Sequence, residues 1–119
     1  MKKVIAMIRR LPGTTPQQFK DYYETRHVPL INRLLPFYAE YKRNYLTQDL
    51  RKDQDPFGYD VVTVLGFASG DDYEAWWKAV TTPAIAAEIG ADEKNFLVSS
   101  ATRMWIVEEC ATDFKAGRP

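Results

Sequence analysis

His27 is the only histidine in the chain. With an unperturbed pKa of about 6.5, imidazole is the side chain best suited to take or give a proton near neutral pH without a metal. It lies in the run TPQQFKDYYETRHVPLINRLLP, residues 15–36, where Phe19, Tyr23, His27 and Leu30 or Ile31 recur at helical spacing along one stripe. Tyr22 and Tyr23 bring phenols within about a turn of the imidazole. Such a hydroxyl can hydrogen-bond a carbonyl or enolate oxygen and stabilise the charge that develops there. Both tyrosines flank the stripe, so either can face a cavity. A small-molecule site needs an apolar wall and a few convergent polar tips. Beside Tyr23 and His27, the chain offers Trp76 or Trp77 from a later helix, and Tyr41, Arg43, Tyr45 and Asp60 from strands. Each also has a structural reading. His27 can be a core histidine bonding a backbone carbonyl freed by Pro29, the tyrosines can fill the core with satisfied hydroxyls, and the arginines can pair at the surface.

The elements that position these groups follow from periodicity. Residues 3–9 (KVIAMIR) are apolar on both parities, which predicts a strand covered on both faces. Thr15 reads as an N-cap, with Pro16 at the first helical position and Gln18 at capping-box spacing. Pro29 cannot donate to the carbonyl of Thr25 and disfavours helical geometry at Val28, so a kink or restart is expected just after His27. Residues 38–47 read as a second strand, 51–58 as a polar loop, and 59–67 (YDVVTVLGF) as a central strand. Ser69 caps the next helix, whose Tyr73, Trp76, Trp77 and Val80 share a face. Thr82-Pro83 breaks and restarts it, Gly90 is expected to end it as a left-handed cap, and 92–97 reads as a helical turn. A last strand is expected over 101–108, followed by a tail, about 109–119, that is mobile or draped over a neighbour. The order β-α-β-β-α-β predicts an α+β, ferredoxin-like single domain over 1–119, with a four-stranded antiparallel sheet and two helices on one face. The other face, with Ile5 and Met7, would leave an apolar patch, which predicts a homodimer packed sheet against sheet.

Composition narrows the function classes. Lys+Arg and Asp+Glu are both 16, giving zero net charge, so nothing argues for nucleic acid or an anionic membrane as partner. One cysteine excludes an internal disulfide, and with one histidine it excludes the usual zinc clusters. GxxxxGK, GxGxxG, GxSxG and HExxH motifs are absent. The apolar run Val4–Ile8 is too short for a signal h-region, so a cytoplasmic protein is expected.

The stretches FKDYYETRHVPLI, YDVVTVLGFAS, DDYEAWWKAV and DEKNFL, spanning about Lys3 to Val107, resemble the EthD family of the dimeric α+β barrel superfamily. The F-x-x-Y-Y-x-x-x-H-x-P run from Phe19 to Pro29 is the most specific part. The resemblance implies a ferredoxin-like protomer, a dimer whose two sheets form a barrel, and a small-ligand cavity between each sheet and its helices. It carries the family's histidine to His27, its helix tyrosine to Tyr22 or Tyr23, and its strand-start Tyr-Asp to Tyr59 and Asp60, the latter able to orient the imidazole. Relatives include lactone isomerases, polyketide cyclases, decarboxylases and oxygenases that use neither metal nor organic cofactor. The expected function is therefore a cofactor-independent enzyme, acting by proton transfer or cofactor-free oxygenation on a hydrophobic carbonyl, lactone or phenolic compound. The alternatives are a non-catalytic dimeric binder of an aromatic metabolite and a haem-binding barrel with His27 as axial ligand.

Overall fold

The computed structural model describes residues 1–114. Strand β1 (Lys2–Ile8) leads into α1 (Pro16–Tyr22), a π-helical turn (Tyr23–His27) and α2 (Val28–Leu34). Strands β2 (Glu40–Tyr45) and β3 (Val61–Phe67) follow, then α3 (Gly70–Val80), α4 (Pro83–Glu93) and β4 (Arg103–Val107). The four strands form one sheet in the order β2-β3-β1-β4, antiparallel throughout. This is the α+β, βαββαβ arrangement expected from the sequence. Among the described residues no helix is long and apolar enough to cross a membrane.

Strand register sorts the side chains into two faces. Ala6 stands opposite Thr63 on one side and Met104 on the other, and Arg43 and Tyr41 oppose Thr63 and Leu65. The face carrying Val4, Ala6, Ile8, Val61, Thr63 and Leu65 is buried beneath the helices. Successive residues point to opposite faces, so Ile5, Met7, Val62, Val64 and Trp105 occupy the other face, which no helix among the described residues covers. Burial divides into two clusters. One gathers Ile8, Phe19, Tyr23, Val61, Phe96 and Leu97, and the second gathers Val4, Ile31, Leu35, Leu65, Phe67 and Trp76.

Helix α1 starts as the sequence requires. Gln18 N–H donates to Thr15 Oγ1 at 3.1 Å, Thr15 N–H donates to Gln18 Oε1 at 2.9 Å, and Pro16 needs no acceptor. The α-helix restarts at Val28, just after His27 as expected, and the irregular winding itself lies in the turn before it, Tyr23–His27. Phe19, Tyr23, His27 and Ile31 are all at most 5 % exposed, a repeat of four residues. An α-helix turns about 100° per residue, so the steps from Phe19 to Ile31 would overshoot three turns by about 120° and carry one end of the stripe out of the core. The wider π turn, closed by Val28 N–H on the Tyr23 carbonyl, absorbs the surplus residue. Pro29 then falls in the first turn of α2, where its missing N–H is harmless. No break follows.

Helix α3 begins at the expected cap, Asp72 N–H donating to Ser69 Oγ at 3.1 Å, and α4 restarts at Pro83. Gly90 does not end α4. Its φ is not positive, unlike those of Gly13 and Gly58, and the helix continues to Glu93. Interior glycine costs a helix only about 1 kcal/mol, and the buried Phe96 and Leu97 just beyond anchor the added turn. Strands β2, β3 and β4 are shorter than the sequence suggests, because Tyr59 and Asp60 precede β3 and Ser99–Ala101 forms a short 3-10 turn before β4. Residues 109–114 of the expected tail carry no helix or strand; 115–119 lie outside the described residues.

Candidate functional site

Between the buried sheet face and the helices lies a cavity of about 280 Å³ whose wall includes Tyr23, His27, Tyr38, Tyr41, Thr63, Trp76, Trp77, Glu93 and Met104. That volume sits at the small end for ligand sites and suits one compact molecule. Aromatic and aliphatic carbon forms most of the wall, and the polar atoms enter at a few points.

His27 is buried at 5 % exposure. Its Nδ1 lies 2.8 Å from Asp92 Oδ2. The other oxygen of Asp92 accepts from Tyr22 Oη–H at 2.7 Å, and Asn95 Nδ2 donates to the same phenol at 2.9 Å. The Phe96 ring backs both, its centroid 4.8 Å from His27 and 5.0 Å from Tyr22, on which it stacks. Burial holds the imidazole pKa below its ordinary value, and the Asp92 contact opposes this without reversing it. A neutral ring facing a carboxylate at Nδ1 donates Nδ1–H to it, so Nε2 carries the lone pair. Among the described residues Nε2 has no protein partner, and it is the nitrogen left for a ligand. The carbonyl partner considered for a core histidine is replaced by a side-chain carboxylate.

The lowered pKa has a stability consequence. Below about pH 6.5 the unfolded chain protonates His27 while the folded chain resists it, so unfolding is favoured as pH falls. The contribution of the neutral buried ring is expected to be intact above about pH 6.5 and lost as pH falls through the lower folded pKa. Urea unfolding followed across that window should show the slope, and His27→Gln should flatten it.

The phenols resolve the choice between neighbours. Tyr23 lines the cavity, with its Oη 2.9 Å from Thr63 Oγ1 and a longer 3.5 Å contact from Tyr41 Oη–H. Tyr22 stands behind His27 in the Asp92 network. Tyr38 accepts from Trp76 Nε1 at 2.9 Å, which leaves its own O–H free to turn to a ligand. Burial pushes the phenol pKa values of Tyr23, Tyr38 and Tyr41 up, so all three remain hydrogen-bond donors at neutral pH. Trp76 is buried and Trp77 half-exposed, one a wall and the other a rim.

The remaining sequence candidates lie elsewhere. Asp60 does not orient the imidazole: its carboxylate accepts Arg10 N–H at 2.8 Å and Arg10 Nε–H at 3.2 Å, tying the end of β1 to the entry of β3. It borders a separate, more open hollow of about 730 Å³ under the 46–60 loop. Arg43 clasps Glu24 through Nε at 2.9 Å and Nη2 at 2.6 Å, and Tyr45 Oη–H adds 2.6 Å to the same carboxylate. The Arg43 contact in particular holds the Glu24 carboxyl below its ordinary pKa. This cluster caps the outer edge of β2 and does not line the cavity.

Asp92, Glu93, Tyr38 and Thr63 are the site residues that sequence reasoning passed over. Ending α4 at Gly90 concealed the first two. Continued to Glu93, the helix places Ala86, Ile89 and Glu93 at three- and four-residue spacing on the cavity wall, a signal present in the sequence. Among the described residues no group of three or more His, Cys, Asp or Glu side chains could hold a metal ion.

Solved structures share the fold. An EthD family protein from Bacillus halodurans aligns over 92% of this chain and 100% of its own, at 18% identity and TM-score 0.62. A dimeric protein of unknown function and ferredoxin-like fold from Bacteroides fragilis aligns over 91% and 95%, at 12% identity and TM-score 0.51. SnoaB, a cofactor-independent oxygenase from Streptomyces nogalater, aligns over 94% and 97%, at 12% identity and TM-score 0.53. At such identities the likeness is one of fold. No curated protein sequence matches the chain. The family model for the EthD domain matches residues 11–100, most of the chain and including the Phe19–Pro29 run and Asp92, and the protein belongs to the EthD family.

Proposed function

We propose that the protein is a cofactor-independent enzyme that moves a proton on a small hydrophobic carbonyl, lactone or phenolic compound held in the His27 cavity. The observation that carries this reading is the His27–Asp92 pair, at 2.8 Å, which presents an unpartnered Nε2 to an aromatic cavity. Nε2 takes a proton from the carbon next to the substrate carbonyl or from a phenol. The imidazolium that forms is stabilised by Asp92 through Nδ1–H. The electron pair moves onto the substrate oxygen, where the Tyr38 hydroxyl, or the Tyr23–Tyr41 pair, donates a hydrogen bond. Returning the proton to a different carbon completes an isomerisation, and attack of the enolate carbon on a second carbonyl of the same molecule, whose oxygen takes the proton back from Nε2–H, completes a cyclisation.

Family membership supports this reading, as does the likeness to a fold relative named as a cofactor-independent oxygenase. The functional form is a homodimer. Ile5, Met7, Val62, Val64 and the half-exposed Trp105 make an apolar sheet face, and the Bacteroides fragilis relative is described as dimeric. Two such faces packed together would close a barrel and leave both cavities open on the outside.

The test is incubation in D₂O with aromatic ketones and unsaturated lactones, following deuterium incorporation by mass spectrometry alongside sedimentation of the free protein. Enzyme-dependent exchange from a species of dimer mass is expected. Saturable binding of these compounds without exchange or product would instead identify a carrier, with His27 serving as a hydrogen-bonding group.

A further inference from the structure

The cavity described above has one ionisable carboxyl on its wall and no cation. Glu93, at the end of α4, lines it in phase with Ile89 and Ala86; its backbone carbonyl accepts from Phe96 and Leu97 N–H, and its carboxyl makes no hydrogen bond to a described residue. Asp92, next to it in sequence, turns instead to His27 and Tyr22, so the two acids divide between the network behind the imidazole and the ligand space. Lysine and arginine are absent from the described lining residues. Arg43, a strand-borne cation on the same sheet face, is engaged by Glu24 outside it. An anion entering this cavity would lose its hydration, meet no counter-charge, and face Glu93.

We infer that Glu93 selects the charge of the ligand: its carboxylate accepts a hydrogen bond from a hydroxyl or amide N–H of an uncharged molecule and excludes carboxylates and other anions. The inference rests on this cavity being the ligand site, and it narrows the substrate class to neutral compounds. In the lactone–hydroxyacid or ester–acid pairs that such chemistry involves, the closed or esterified member is the one that enters. Burial, with the neighbouring Asp92 charge, raises the Glu93 pKa above the ordinary carboxylate value.

The experiment uses an isosteric pair, 4-ethylbenzamide and 4-ethylbenzoate, titrated at neutral pH into the ¹⁵N-labelled full chain while the indole N–H signals of Trp76 and Trp77 are followed. The amide is expected to bind at least about tenfold more tightly than the carboxylate, and Glu93→Gln to shrink that ratio by at least about threefold, mainly by tightening the carboxylate. Equal affinities, or preference for the benzoate, would overturn the inference. So would an unchanged ratio in a Glu93→Gln protein whose thermal melt is native-like. Should that variant fail to fold, the wild-type ratio alone decides. If neither compound shifts the indoles, the cavity is not the ligand site and the proposed function falls with the inference. If the pair is discriminated but no compound exchanges deuterium, the enzymatic reading falls and the charge selection stands.

Discussion

Replacing His27 with alanine is expected to lower enzyme-dependent deuterium exchange by about 10²- to 10⁴-fold, the usual contribution of a positioned general base, and to leave the sedimentation mass the same as that of the unmodified protein. The loss should appear in turnover more than in substrate affinity, because the ring acts on a proton that is in motion only in the transition state. Asp92→Asn separates the two halves of the pair. Its bond and its charge both raise the His27 pKa against burial, so removing the charge should move the acid limb of the rate profile to lower pH. An asparagine can also donate to Nδ1 and put the proton on Nε2, the wrong tautomer for a base. A residue that only filled space beside the imidazole would lower the melting temperature without shifting that limb. Stopped exchange measurements across the pH range, wild type against Asp92→Asn, distinguish the two.

The largest stability effect is expected at Phe96. It is 1 % exposed and touches four rings of the helix stripe and its network: Tyr22 at 5.0 Å, His27 at 4.8 Å, Tyr23 at 5.4 Å and Phe19 at 5.7 Å between centroids. Phe96→Ala should cost about 3–5 kcal/mol from lost transfer energy and the cavity left behind. That is a large share of the roughly 5–15 kcal/mol available to a domain of this kind. A fall in the urea midpoint at unchanged slope would show it, while Phe96→Leu, nearer in volume, should cost clearly less. Because Phe96 backs both Tyr22 and His27, the alanine variant should also loosen the Asp92 network even at temperatures where the domain stays folded.

How far the chain could be read before the structure depended on the range of each signal. Capping residues act on backbone within one turn, so Thr15, Ser69 and the Thr82-Pro83 restart were legible. Strand parity sorted Val4, Ala6 and Ile8 from Ile5 and Met7, and with it the covered and open faces. His27 and Tyr23 could be placed on a common stripe. The partner of His27 could not, because that choice depends on how far α4 extends. A glycine at position 90 is compatible with either a cap or a continuing helix, and the burial of Phe96 and Leu97, a tertiary effect, decides between them. Asp60 was the reasonable carboxylate on chain order, since it opens a central strand. Yet the strand end it occupies points to Arg10, and the imidazole meets an acid 65 residues further along the sequence. Arg43 and Tyr45 had the right parity to face the helices, but the carboxylate of Glu24 intercepts both at the sheet edge.

The π turn also bears on how sequences of this kind should be compared. A regular α-helix that buried the same stripe would run F-x-x-x-Y-x-x-H, with two residues between the tyrosine and the histidine, and this chain has three. An alignment that forbids gaps inside helices would therefore set His27 opposite the wrong residue of any relative with an unbroken helix, and every position as far as Leu34 would shift with it. A one-residue gap placed between Tyr23 and His27 restores the correspondence. The histidine is best identified in related chains by counting inward from both helix ends, since a fixed distance from the tyrosine holds only where the turn is wide.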